Sequence, residues 1–327
     1  MSRINTVLGK VDSLELARVL PHEHIASAYG YLGRQQPTSN EQWEEELLAH
    51  YTPMLQTLRE QYDCNALVEC SPSYGFRQER DLALWAELSE RTGVTIIAST
   101  GYYVDRIRPP DFSERTVTQI ADTMILEAVE GILGTHIQAG IIKIAVGKMD
   151  ADDRKLVKAA AIAQRETGLS ITTHTCSPEA RRATLDLLEG AGTPMDRVVL
   201  GHADDNATPA EMVSLARRGC SLLFTIWGIV SPETIGWGLP ALPLHHSASL
   251  VAVLVAEGHC DQVLMSIDYS AGYRDSQFTE DLYEVEGRTY LYMFTHALGT
   301  LHTMGVPDDA LEHIMRENPR RMLSYGA

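Results

Sequence analysis

The chain has 327 residues, 44% of them apolar and 22% charged, a composition that suits a globular protein with one large core or two smaller ones. Its formal net charge of −17 argues against a nucleic-acid partner, which wants a basic face, and against a polybasic membrane anchor. No apolar run approaches the ~18 residues of a membrane span, and the opening MSRINTVLGK has no signal-peptide core. The five cysteines (Cys64, Cys70, Cys176, Cys220, Cys260) are scattered with no CxxC, which fits reduced thiols in the cytoplasm better than a disulfide framework.

Short apolar runs alternate with helical patterns along the whole chain. RVLPHEH precedes the helical stretch 41–62. NALVEC precedes 78–93, VTIIASTGYY precedes 117–133, and AGIIKIAVG precedes 153–168. LSITTHT, RVVLGHAD, CSLLFTIW and DQVLMSID open four further units, and a last helix covers 309–323. The strand runs are nearly continuous in apolar residues, as parallel strands buried on both faces require. Several helices end in a glycine at the C′ place, as in ETG and RRG. Eight strand-then-helix units predict a (β/α)8 TIM barrel, α/β in class, as a single domain over 1–327. The rival, a doubly wound open sheet, would usually show a Gly-rich phosphate turn after its first strand, and none is present. Three long connections, 25–40, 225–246 and 268–286, follow strand ends and are expected to shape a pocket.

The predicted strands end on polar residues. The first carries His22 and His24, the fourth Lys143, the fifth His174, the sixth His202 and the eighth Asp268. Residues i and i+2 of a strand project to one side, so both imidazoles of HEH can reach one ion, and Glu23 between them should face away into the barrel wall. Each residue alone has a plainer reading. A lone HxH can be capping or core, a lone histidine a satisfied core residue, and Asp268 a helix cap. Lys143 is the odd one, since a lysine in a buried strand is costly unless it is paired or chemically altered. Four histidines, a carboxylate and an inward lysine at the same end of their units point together to a divalent-metal site.

Carrying PHEH, GIIKIA, THT, GHADD and SID, the chain resembles the phosphotriesterase family of the amidohydrolase superfamily, including its phosphotriesterase-like lactonases, from TVLG to ENPRRML. The resemblance implies two divalent ions, zinc first, with cobalt, manganese or iron as alternatives. His22, His24 and Asp268 would hold the more buried ion, His174 and His202 the more exposed one, and a carboxylated Lys143 would bridge them. It implies hydrolysis of a lactone or other carboxylic ester by a metal-bridging hydroxide, with Asp268 taking its proton. Asp205 matches a carboxylate that steadies His202 or passes the proton outward. Tyr103 matches a lactonase tyrosine facing the metals, with Tyr102 the weaker candidate. The partner is then a small ester-like molecule, and the family is often homodimeric.

The chain departs from the family after the seventh strand. Where lactonases usually carry Asp-Arg and phosphotriesterases Asp-His, it has Thr225-Ile226, followed by Trp227. A more apolar pocket is expected there, walled by Ile226, Trp227 and Trp237. Phosphotriesters, carbamates or amides are therefore the alternative substrates, and a non-catalytic binding barrel is the alternative from another class.

Overall fold

The computed structural model describes residues 3–25, 40–72, 79–175, 177–229, 244–274, 277–279 and 287–325. The eight expected strands form one parallel sheet whose spatial order is the chain order. They are β3 (Arg18–Glu23), β4 (Cys64–Glu69), β5 (Thr95–Tyr102), β6 (Ile141–Ala145), β7 (Ile171–His174), β8 (Val198–Gly201), β9 (Ser221–Phe224) and β10 (Val263–Met265). Helices lie between them, and the architecture is a (β/α)8 barrel. The last seam, β10 to β3, has no regular ladder among the described residues. It is closed by single bonds, Asp268 N–H to His22 O at 3.2 Å and His24 N–H to Tyr269 O at 3.0 Å.

Local signals set the helix ends. The side chains of Asp150, Ser177 and Thr208 accept the backbone N–H groups of Asp153, Ala180 and Glu211, and a proline opens the helix after Ser177 and after Thr208. At the other end of Ala151–Thr167, Gly168 takes φ +75° and its N–H reaches Gln164 O at 2.7 Å.

Alternation divides the core in two. Val19, Val68, Ile97, Ile141, Val199, Leu223 and Leu264 meet inside the barrel. Their neighbours, such as Ile96, Ile142 and Leu222, pack outward against the helices. Continuing the same period along β6 turns Lys143 inward. Along β5 it turns Ser99, Gly101 and then Tyr103 inward, and leaves Tyr102 in the outer core. Gly101 has φ +124°, and a Cβ there would stand 1.9 Å from the Lys143 carbonyl oxygen. Gly101→Ala should therefore cost about 2–5 kcal/mol, read as a lower urea midpoint with unchanged slope. A wild-type midpoint would show that the two strands can part without penalty.

One element was not expected. An antiparallel hairpin, β1 (Arg3–Thr6) with β2 (Gly9–Asp12), precedes the barrel. Val7 N–H bonds Ile96 O at 3.0 Å and Asn5 Nδ2 bonds Ala139 O at 2.8 Å, so the hairpin covers the N-terminal ends of the strands, with Ile4 entering the inner core. The opposite, C-terminal face is left for chemistry. In the long connection after β10, β11 (Gly272–Arg274) pairs with β12 (Gln277–Thr279). Most of the expected pocket loops, at 26–39, 230–243 and 280–286, lie outside the described residues, as do Trp237 and Cys176. No helix among the described residues is long and apolar enough to cross a membrane.

Cys64, Cys70 and Cys220 are fully buried, and burial pushes each thiol up to about 12. Iodoacetamide at pH 7.5 should leave these three unmodified in the native protein and label all of them in urea. Peptide mass mapping reads the result, and native labelling at any of the three contradicts this packing.

Candidate metal centre

β3 brings in the first pair by an irregularity. Val19 faces the barrel interior and Leu20 the helices, so plain alternation would send Glu23 inward and both histidines out. Between Leu20 and Glu23, however, β3 advances three residues while its partner β4 advances two, from Leu67 to Glu69. That single extra residue reverses the faces. His22 and His24 enter the barrel, with ring centroids 5.7 Å apart.

The other expected residues meet them there. Lys143 Nζ lies 3.2 Å from His22 Nε2 and is 0% exposed. Asp268 Oδ1 is 3.4 Å from His22 Nε2 and 3.1 Å from His24 Nε2, and its Oδ2 is 3.9 Å from His202 Nδ1. The His174 and His202 rings are 4.2 Å apart, and those of His22 and His202 5.0 Å. Candidate ligand atoms of His22, His202 and Asp268 all lie within 4.8 Å of one another. His202 and Asp268 both have φ +54°, a left-handed backbone that L-residues seldom adopt. At His202 this conformation breaks the alternation of β8, which would have sent its side chain outward.

Burial strips charge from most of these rings. It holds His22 well below its usual pKa, with the Lys143 charge adding to the effect, and holds His174 well below, with His202 adding. It brings His202 to about 4. Burial also opposes charge on His24, but hydrogen bonds to Asp268 and Glu69 outweigh it and raise that ring to about 9. Asp268 would be raised by burial, yet His22 and a hydrogen bond from His24 hold it well below the carboxylate range. The cluster thus offers three neutral imidazoles, His22, His174 and His202, around an ionised carboxylate, a donor set that suits a divalent cation, with His24 giving up its proton on coordination. His22 Nδ1 and His202 Nε2 are buried with no hydrogen-bond partner among the described residues, a costly state that a bound ion or water would relieve. The residues fit a metal.

Side chains that sequence reading missed hold the ligands. Ser71 Oγ is 2.7 Å from His24 Nδ1, and Glu69 accepts the N–H groups of Ser71 and Ile25. Thr225 Oγ1 is 2.8 Å from His202 Nδ1. Thr225 thus puts a hydroxyl against this ring, and the β9 end is more polar toward the site than expected. Thr225 is itself fixed by the buried Asp204, which accepts the N–H groups of Thr225 and Ile226 and the hydroxyl of Ser247. Buried Arg181 donates to Asp205 O at 2.8 Å and His202 O at 3.4 Å, binding the turn after β8. No signal short of the folded contacts marks these residues, since the ring or turn that each holds is at least 21 residues away in sequence.

The remaining expectations divide. Tyr103 stands over the site, its hydroxyl 3.1 Å from His174 Nδ1, whereas the Tyr102 hydroxyl pairs with Arg115 at 3.2 Å. Asp205 is buried, and its N–H donates to His202 O at 3.1 Å. Trp227, expected as a pocket wall, is instead packed in the outer core, its indole N–H donating to Phe224 O at 3.0 Å. Ile226 is buried with Ile229. Glu23 does face away from the other site residues. It is fully buried and accepts from Ser266 Oγ, Ile267 N–H and Tyr269 N–H at 2.6, 2.9 and 2.7 Å, although burial still pushes its carboxyl up to about 7.

These features define a (β/α)8 barrel with a candidate metal centre at the C-terminal ends of its strands. A phosphotriesterase family model matches residues 2–323. An N-acetyltaurine hydrolase of Rattus norvegicus is 27% identical, covering 99% of this chain and 98% of its own. An organophosphorus hydrolase from Deinococcus radiodurans superposes with a TM-score of 0.83 at 26% identity, covering 98% of this chain and 96% of its own. A structure described as organophosphate hydrolysis engineered from a weak promiscuous lactonase template also gives 0.83 at 26% identity, covering 98% and 99%. The chain belongs to the phosphotriesterase family, whose members are hydrolases and generally metal-dependent.

Proposed function

We propose that the protein is a binuclear metal-dependent hydrolase that cleaves a lactone or other carboxylic ester. The observation that carries this is the convergence of His22, His24, Lys143, His174, His202 and Asp268 on one point beneath the Tyr103 hydroxyl. His22, His24 and Asp268 would hold one divalent ion, zinc first, and His174 and His202 the other. Lys143, carboxylated by CO₂ at Nζ, would bridge them, placing one negative charge shared by two oxygens where the protonated amine would carry a repelling charge. When bound, such a pair supplies Lewis acidity and a nucleophilic hydroxide near neutral pH.

The chain's own groups do the rest. Asp268, kept ionised, accepts a hydrogen bond from the attacking water at one carboxylate oxygen and takes its proton. His24 Nε2 lies 3.1 Å from Asp268 Oδ1. The Tyr103 hydroxyl donates toward the oxygen of the scissile group. Buried Thr225 and Ser71 keep the His202 and His24 rings from turning.

Amide cleavage is the second reading, favoured by the name of the full-length relative, N-acetyltaurine hydrolase. Steady-state kcat/KM on zinc-loaded protein decides between them, using lactones of varied ring size, N-acetyltaurine and an aryl phosphotriester side by side. The lactones should give the highest value. Turnover of N-acetyltaurine alone selects the second reading, preference for the phosphotriester rejects both, and no turnover of any ester or amide leaves a binding barrel.

A further inference from the structure

Two fully buried charged side chains outside the six-residue cluster, Glu23 and Arg288, converge on the peptide units around Asp268. The Glu23 carboxylate accepts the N–H of Ile267 at 2.9 Å with one oxygen and the N–H of Tyr269 at 2.7 Å with the other. The Ser266 hydroxyl adds a third bond to the first oxygen at 2.6 Å. Arg288 donates to Ile267 O, to Thr225 O at 3.4 Å and to Trp227 O at 2.9 Å. Asp268 N–H goes to His22 O, and Tyr269 O accepts from His24 N–H. All three N–H groups of 267–269 and two of the three carbonyls are thus held by groups from β3, its extension, or Arg288.

This bracing falls where the barrel provides least. β10 ends at Met265, so Asp268 lies beyond the ladder, in the seam that regular pairing does not close. Its backbone is left-handed at φ +54°, a conformation that persists only where the surroundings over-determine it. Buried charges are also a poor way to gain stability alone, since well-packed apolar residues usually serve as well. Holding a carboxylate to a fraction of an ångström is a task that supporting hydrogen bonds such as these can serve.

We propose that Glu23 and Arg288 are positioning residues that bracket the peptide units on either side of Asp268 and thereby aim its carboxylate at the metal centre; this rests on the reading of Asp268 as a metal ligand. The test is zinc affinity, measured by chelator competition on the full-length protein, for Glu23→Gln, Arg288→Lys, Asp268→Asn and the two double variants. Gln keeps the shape of Glu23 but presents an N–H to one of the donors it must accept from. Lys keeps the charge of Arg288 but cannot span three carbonyls.

Each single positioning variant should weaken zinc binding about 10-fold or more. In the Asp268→Asn background neither should weaken it further, because the effect runs through Asp268. Wild-type affinity in both single variants overturns the proposal. So does an equal loss with and without Asp268, which would mark the two residues as seam closure only. Wild-type affinity in Asp268→Asn itself would instead remove the ligand reading and the proposal with it. If Glu23→Gln does not fold, Arg288→Lys reports the same quantity.

Discussion

Replacing Lys143 with alanine is expected to strip the protein of most of its zinc and to lower hydrolysis by at least about 100-fold, with no rescue by bicarbonate. The reason lies in where the amine sits. Lys143 is fully buried on β6, and its Nζ is 3.2 Å from His22 Nε2, among histidines of which burial keeps His22, His174 and His202 neutral. A free ammonium there opposes any cation the histidines could hold. The proposed carboxylation would reverse the charge and supply two oxygen ligands. Alanine removes the nitrogen on which those oxygens are built, so bicarbonate has nothing to react with. Fold is a poor explanation for such a loss, because removing a buried amine relieves a desolvation cost. Zinc per protein after growth in zinc, measured by plasma mass spectrometry beside the thermal midpoint, separates the two. Wild-type activity in an alanine variant that retains no metal would refute the site.

Much of the barrel is legible in the sequence because its strands are buried on both faces. Runs such as GIIKIAV and RVVLG then stand out against helices with Ser, Thr or Asp at one end and Gly at the other. The β1–β2 hairpin is not legible for the opposite reason, since two four-residue strands with mixed burial are too short for any period to show. That these six residues gather at one end of the barrel could be read from their place at strand ends, but their orientation could not. His22 and His24 face inward because of one extra residue in β3, and His202 because of a left-handed backbone, and neither is encoded in a polar–apolar pattern. The Thr225 hydroxyl that reaches His202, and the Glu23 and Arg288 groups around Asp268, depend on contacts across strands far apart in sequence. Trp227 shows the reverse error. A large aromatic after a strand end suggested a pocket wall, and its buried, hydrogen-bonded ring belongs to the core.

The metal-free protein should lose stability steeply as the pH falls from 6.5 toward 4. His22, His174 and His202 are depressed by burial below the 6.5 of an unfolded histidine, the last to about 4. Each therefore contributes stability that is present above 6.5 and is lost as the pH falls through the folded value, because the unfolded chain takes up the proton first. One proton difference corresponds to about 1.4 kcal/mol per pH unit. Glu23, raised by burial to about 7, works against the three rings, since its folded carboxyl takes up a proton first as the pH falls below 7; three rings less one carboxyl leave a net slope of at most about two protons, or about 3 kcal/mol per unit, across this window. His24 has the opposite sign. Raised to about 9 by Asp268 and Glu69 against its burial, it contributes stability that is full below 6.5 and is lost as the pH rises through 9. The metal-free protein is then most stable near pH 6.5. Metal loading should remove the alkaline loss, since coordination wants His24 neutral, and should itself fail on the acid side, where protons compete for the same nitrogens. Urea unfolding of chelator-treated protein at half-unit steps from pH 4 to 9 measures this directly. His202→Asn should lower the acid slope by about one proton, and a free energy that stays flat between pH 6.5 and 5 would mean that the three rings are not held neutral in the folded state.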